Sequence, residues 1–93
     1  MVVGVCVVEL HLPGCRSLKE KRQALTSLTE RLRARFNVAV AEIGAQDLWQ
    51  RAQLGICTVA NSDRFVDEVL AKAARWVEGD ARVVVERITM EKR

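Results

Sequence analysis

The sequence predicts an α+β fold of ferredoxin-like βαββαβ order, with a four-stranded antiparallel sheet and two helices on one face. Three observations carry the prediction. Val-rich or alternating segments at 2–12, 38–43, 49–60 and 81–90 have the two-residue period of strands. Two intervening segments place apolar residues at helical spacing. Each half therefore runs strand, helix, strand, and two right-handed crossovers plus one hairpin give the split βαβ arrangement. A chain of 93 residues suits a single domain over 1–93.

Strand one, 2–12, carries Val2, Gly4, Cys6, Val8, Leu10 and Leu12 on one face and Val3, Val5, Val7, Glu9 and His11 on the other. Pro13-Gly14 ends it. Ser17 with Glu20 forms a capping-box pattern that starts helix one, 17–36. Leu18, Leu25, Leu28, Leu32 and Phe36 lie on its apolar arc, and Asn37 is expected to stop it in a left-handed conformation. Strand two covers 38–43, and Gly44 to Asp47 makes a turn. In strand three, 49–60, Ala52, Leu54, Ile56 and Thr58 share a face. Asn61 or Ser62 caps helix two. Its buried side is Val66, Val69, Leu70, Ala73 and Val77, and Gly79 ends it. Strand four covers 81–90, and the tail Glu91-Lys92-Arg93 is expected to fray.

Composition narrows the classes. Hydrophobic residues at 49% and charged residues at 29% support a core with a wet surface and argue against global disorder. No apolar run approaches the ~20 residues of a membrane helix. The start, MVVGVCVVEL, has no basic leader and reads as a strand, so a cytoplasmic protein without membrane partners is expected. Three cysteines, Cys6, Cys15 and Cys57, form no close pair and argue against a disulfide framework. A net charge of +3 permits a nucleic-acid partner without requiring one.

Four blocks in order, Glu9-Leu-His-Leu-Pro-Gly14, Ser17-Leu-Lys-Glu-Lys-Arg22, Phe36-Asn-Val-Ala-Val-Ala-Glu42 and Gln46-Asp-Leu-Trp-Gln-Arg51, resemble the YlxP-like family, a small bacterial family of unknown function. The resemblance spans nearly the whole chain. It implies a ferredoxin-like fold and a cytoplasmic bacterial protein. Genes of the family often lie beside translation-initiation and ribosome-maturation genes, which implies work on RNA or ribosomal particles by association only. It supplies no catalytic residues.

The predicted topology gathers Glu9, His11, Arg16, Lys19, Lys21, Arg22, Glu42, Gln46, Asp47, Trp49 and Arg51 at one end of the sheet. Helix one concentrates positive charge in Arg16, Lys19, Lys21, Arg22, Arg31, Arg33 and Arg35, opposed by Glu20 and Glu30. The helix dipole accounts for Arg31, Arg33 and Arg35 near the C-terminus, by roughly 0.3–1 kcal/mol each, but not for Lys19, Lys21 and Arg22 in the first turns. Lys21 and Arg22 are expected to turn toward the sheet. Two readings remain open for them: a structural charge network with Glu9, Glu42 or Asp47, or an anion site for phosphate or RNA backbone.

Other candidates carry less. His11 lacks the ligand companions of a metal site, and a hydrogen-bonded or surface role is expected. No CxxC, phosphate loop or Ser-His-Asp spacing is present. Cys15 before a helix start is compatible with a nucleophile, but no third group supports it. The acylphosphatase-like reading fails on the missing arginine loop after strand one. No cofactor is implied. Trp76 is expected in the core; Trp49 is expected to cover the core's end, the alternative being a stacking surface.

Strand one is apolar on both faces, although helices cover only one. A one-sided antiparallel sheet should alternate more cleanly, so a homodimer through the open face is expected. Sheet-face stacking of RNA is not, because strand one has no aromatic. The favoured function is a non-enzymatic binding module acting on RNA or ribosomal particles through helix one. The alternative is a dimeric small-molecule or protein-interaction regulatory module.

Overall fold

The structure is a computed structural model that describes residues 1–93. Its elements run β1 (Val2–His11), α1 (Leu18–Arg35), β2 (Ala39–Gly44), β3 (Arg51–Ala60), α2 (Asp63–Glu78) and β4 (Val84–Lys92). The sheet order is β2-β3-β1-β4, and every pair is antiparallel. This is the ferredoxin-like arrangement expected from the alternating pattern.

The two faces of β1 behave as its alternation dictates. Cys6, Val8 and Leu10 are buried, and so are Ala52, Leu54, Ile56 and Thr58 on β3. Leu25, Leu28 and Leu32 of α1 close over them, with Val66, Leu70, Ala73, Ala74 and Val77 of α2. Burial raises the Cys6 thiol above its ordinary pKa, because the thiolate would lose its hydration there. Gly4 lets α2 approach β1 closely. A Cβ at this position would meet Leu70 Cδ1 at 2.7 Å and Val66 Cγ1 closer still.

Both helix starts follow their sequence signals. The Ser17 hydroxyl accepts from Glu20 N at 3.1 Å, and Glu20 Oε2 accepts from Arg16 N at 2.9 Å, one residue earlier than the usual capping box. Ser62, not Asn61, caps α2, accepting from Phe65 N at 3.3 Å. Two ends differ from expectation. Asn37 is not left-handed, since Ala45 alone among non-glycine residues has positive φ. Phe36 ends α1 in extended geometry while its N–H still bonds Leu32 O. β4 also starts later and runs further than its apolar residues indicate. Residues 84–92 pair with β1, and Arg93 exchanges both backbone bonds with Val3, at 2.7 and 2.8 Å. The tail is held by the backbone ladder, which side-chain hydropathy does not report.

Asp80, after α2, ties the two helices. It pairs with Arg31 at 2.8 Å and accepts from Arg82 N at 2.8 Å. Burial alone would raise its pKa, yet the bonds from the Arg82 amide, Arg82 side chain and Arg31 hold its carboxyl below the ordinary value. Trp76 is half-buried against the core, with the Arg31 guanidinium 5.2 Å from its ring centroid.

No helix covers the second face. Alternation and register place Val3, Val5 and Val7 of β1 there, with Ala39 and Ala41 of β2 and Gly55, Cys57 and Val59 of β3. A bulge in β2 adds Ile43 to this face, where it lies over Gly55. Ile43 and Val59 are about half exposed, at 50% and 53%.

Candidate functional site

The end of the sheet where β1 leads into α1, and β2 leads into β3, holds most of the sequence candidates. Its centre is Lys21. This side chain is 1% exposed, and its Nζ donates to Ala45 O at 2.9 Å, Gln46 O at 3.3 Å and Arg51 O at 3.1 Å. Glu42 Oε2 lies 3.0 Å away, within ion-pair distance, yet no hydrogen bond reaches that atom. The Lys21 ammonium thus faces three carbonyls that accept from it and one carboxylate that contributes by charge attraction. Lys21 therefore belongs to the structural network that the sequence left open, and its acidic partner is Glu42 rather than Glu9 or Asp47.

Arg22 departs from expectation. It is exposed rather than turned toward the sheet. At 100° per residue it sits one step beyond Lys21, enough to leave the buried arc. Lys19 and Arg16 are exposed as well. Of the chain's 15 Lys and Arg, eight lie within 4 Å of a carboxylate: Lys21, Arg31, Arg51, Arg64, Arg82, Arg87, Lys92 and Arg93. The other seven are Lys72 and Arg75 on α2, and Arg16, Lys19, Arg22, Arg33 and Arg35 on or just before α1. Arg33 also bonds Val40 O at 2.7 Å, which covers a carbonyl of the edge strand β2. Glu20 is occupied at the helix cap, leaving Glu30 as the free acid of this helix.

The remaining polar candidates separate onto the open side of the sheet. Glu9 pairs with Arg87 at 3.9 Å, and Arg51 with Glu86, which the β4 bulge turns to that side. His11 stands opposite Arg51 and Val84 in the register. Cys15 is buried in the core on the helix side. The sheet thus lies between His11 and Cys15, and the arrangement does not form a cysteine–histidine pair. No group of three or more His, Cys, Asp or Glu side chains is placed to hold a metal ion.

Trp49 does not cover the core's end as expected. It is 55% exposed, beside Leu48 at 51%, on the loop between β2 and β3. Leu12 and Cys15 fill the core's end instead. Signals for this were present but ambiguous: Asp47, Gln50 and Arg51 flank the tryptophan with polar groups, and a Leu-Trp pair alone reads as core.

No helix is long and apolar enough to cross a membrane. A family model described as "Protein of unknown function (DUF503)" matches residues 3–90. The chain is also 34% identical over 77 residues to "Uncharacterized protein YlxP" of Bacillus subtilis (strain 168), an alignment covering 83% of this chain and 84% of that one. These two matches, which cover most of the chain, place it in the DUF503 family.

Proposed function

We propose that the chain is a non-enzymatic RNA-binding module that contacts the phosphate backbone through α1. The observation that carries this is the distribution of cations. Five of the seven side chains without a carboxylate partner belong to Arg16–Arg35, and three of them, Arg16, Lys19 and Arg22, stand at the helix N-terminus. There the dipole opposes them, by roughly 0.3–1 kcal/mol each. Folding gains nothing from that placement. A polyanion running along the helix offsets it, because each phosphate contact releases condensed counterions. The choice of RNA over another polyanion rests on what the family resemblance implies by gene association alone.

Binding to a structured RNA should fall steeply with salt. Four phosphate contacts predict a loss of about 10² in affinity between 50 and 200 mM salt. The variant Lys19→Gln/Arg22→Gln should lower both the affinity and the salt slope, as followed by fluorescence anisotropy. Salt-insensitive binding, or an unchanged slope in the variant, would reject the reading, as would failure to co-sediment with ribosomal subunits.

A second reading concerns assembly, and the open sheet face favours it. Val3, Val5, Val7, Ile43 and Val59 form an apolar strip over the small residues Ala39, Ala41 and Gly55. The charges at its rim are already paired within the chain, Glu9 with Arg87 and Arg51 with Glu86, so a second copy meets little net charge. Cys57 lies on this face and reports on it. Its reaction with a thiol reagent should accelerate on dilution through the micromolar range as a dimer dissociates. Concentration-independent labelling with a monomeric mass by light scattering would sink the dimer.

A further inference from the structure

We propose that the loop Ala45–Gln50 is a built platform on which Trp49 stacks an unpaired base of single-stranded RNA, while the start of α1 holds the adjoining phosphates. The inference rests on the RNA-binding reading above and names the form of RNA involved. Two large apolar side chains, Leu48 and Trp49, are more than half exposed on a short loop held by specific polar attachments. Lys21 Nζ grips the carbonyls of Ala45, Gln46 and Arg51. Leu48 N donates to Ala45 O at 3.1 Å, and Leu12 N donates to Gln50 O at 2.8 Å. Gln50 Nε2 donates to Cys15 O at 3.2 Å and, at 3.4 Å, to Pro13 O. Ala45 turns the chain with φ 59°, a conformation that a residue with a Cβ adopts only when its surroundings impose it. A loop serving only to join two strands does not need a buried ammonium to fix it.

The platform stands beside the unpaired cations. Gln50, next to Trp49, bonds the carbonyl of Cys15, and Arg16 follows Cys15. Lys21, which holds the loop, lies between Lys19 and Arg22. Asp47, Leu48, Trp49, Gln50 and Arg51 line an open recess of about 360 Å³, at the low end of small-ligand sites. Asp47 has no cationic partner and is free to accept from the amino edge of a base. Trp76 cannot serve in the same way, since it is half-buried and Arg31 occupies its ring. A protein partner fits less well, because two side chains amid charge fall far short of the roughly 800 Å² that each partner contributes to a stable interface. An aromatic beside a cationic track is instead the usual arrangement for single strands, each stacked base being worth roughly 1–3 kcal/mol.

The test compares rU12, dT12 and a 12-base-pair RNA duplex on the full chain by anisotropy, with quenching of intrinsic tryptophan fluorescence as a second readout. Trp49→Ala should weaken rU12 binding about 5- to 160-fold and abolish quenching, with duplex affinity unchanged. Trp49→Phe should recover most of the affinity, and Trp76→Phe should keep the quenching. Equal weakening of rU12 and duplex, or no weakening of either, would overturn base stacking while leaving the backbone reading intact, provided that Lys19→Gln/Arg22→Gln still weakens both. dT12 binding as tight as rU12 would overturn RNA as the source of the base. Salt-insensitive binding of all three ligands would remove the RNA-binding reading itself.

Discussion

Gly4→Ala is expected to cost about 2–3 kcal/mol, which lowers the thermal midpoint by roughly 10–20 °C in a domain of this size. The added methyl has nowhere to go. It points at Val66 and Leu70, both fully buried. Leu70 could rotate its far end, but Val66 is β-branched and has one preferred rotamer in a helix. The clash must therefore move α2 as a body away from β1. Replacing glycine within a strand ordinarily helps by about 0.4–1 kcal/mol through the unfolded chain, and the predicted loss is net of that gain. The informative measurement is a double-mutant cycle in urea with Val66→Ala. If the close approach is the cause, the second truncation makes room, and the pair should cost less than the sum of the singles by more than about 0.5 kcal/mol. Strict additivity would show that Gly4 acts through something other than this contact.

Alternation alone places Gly4 on the buried face of strand one, and the same rule places Cys6, Val8, Leu10, Leu54 and Ile56. A period of two, with one face covered, leaves little freedom in a strand. The capping pair Ser17–Glu20 is legible for a related reason, because it is local, whereas the cap of α2 is legible only as Asn61 or Ser62 and the structure selects Ser62. The site was legible in part. Topology brought Lys21, Glu42, Gln46 and Arg51 to one end, but it could not tell Lys21 from Arg22. Their separation is one residue on a helix, and the outcome depends on where the β2–β3 loop offers carbonyls. A tryptophan at the start of strand three reads as covering the core's end, whereas Leu12 and Cys15 already fill that end. The extent of β4 was missed because its final residues, Glu91 and Lys92, pair through backbone groups. What sequence could not resolve was thus decided by backbone donors and acceptors meeting across long separations.

Lys21→Met should cost about 3 kcal/mol, comparable to breaking a buried ion pair, and its effect should be spatially confined. Methionine keeps the apolar stem packed among the core residues, so the loss isolates the ammonium. Its removal strands three loop carbonyls and leaves Glu42 without a counter-charge. The carbonyls carry the larger share, since three of them lose their donor at once, whereas Glu42 Oε2 receives no hydrogen bond even with the lysine in place. Glu42→Gln should accordingly cost under about 1 kcal/mol, and adding it to Lys21→Met should restore only that part. Lys21→Arg should not rescue, because a planar guanidinium cannot aim at three carbonyls converging on a single point. Hydrogen exchange should speed up in residues 45–51 well before the central strands β1 and β3, marking a loop released while the fold persists. If the amides of 45–51 stay as protected as those strands, or if Glu42→Gln proves as costly as Lys21→Met, then the buried lysine holds the charge pair rather than the loop. Trp49 would then owe its position to something else, which ties the stability of this end directly to the base-stacking platform it presents.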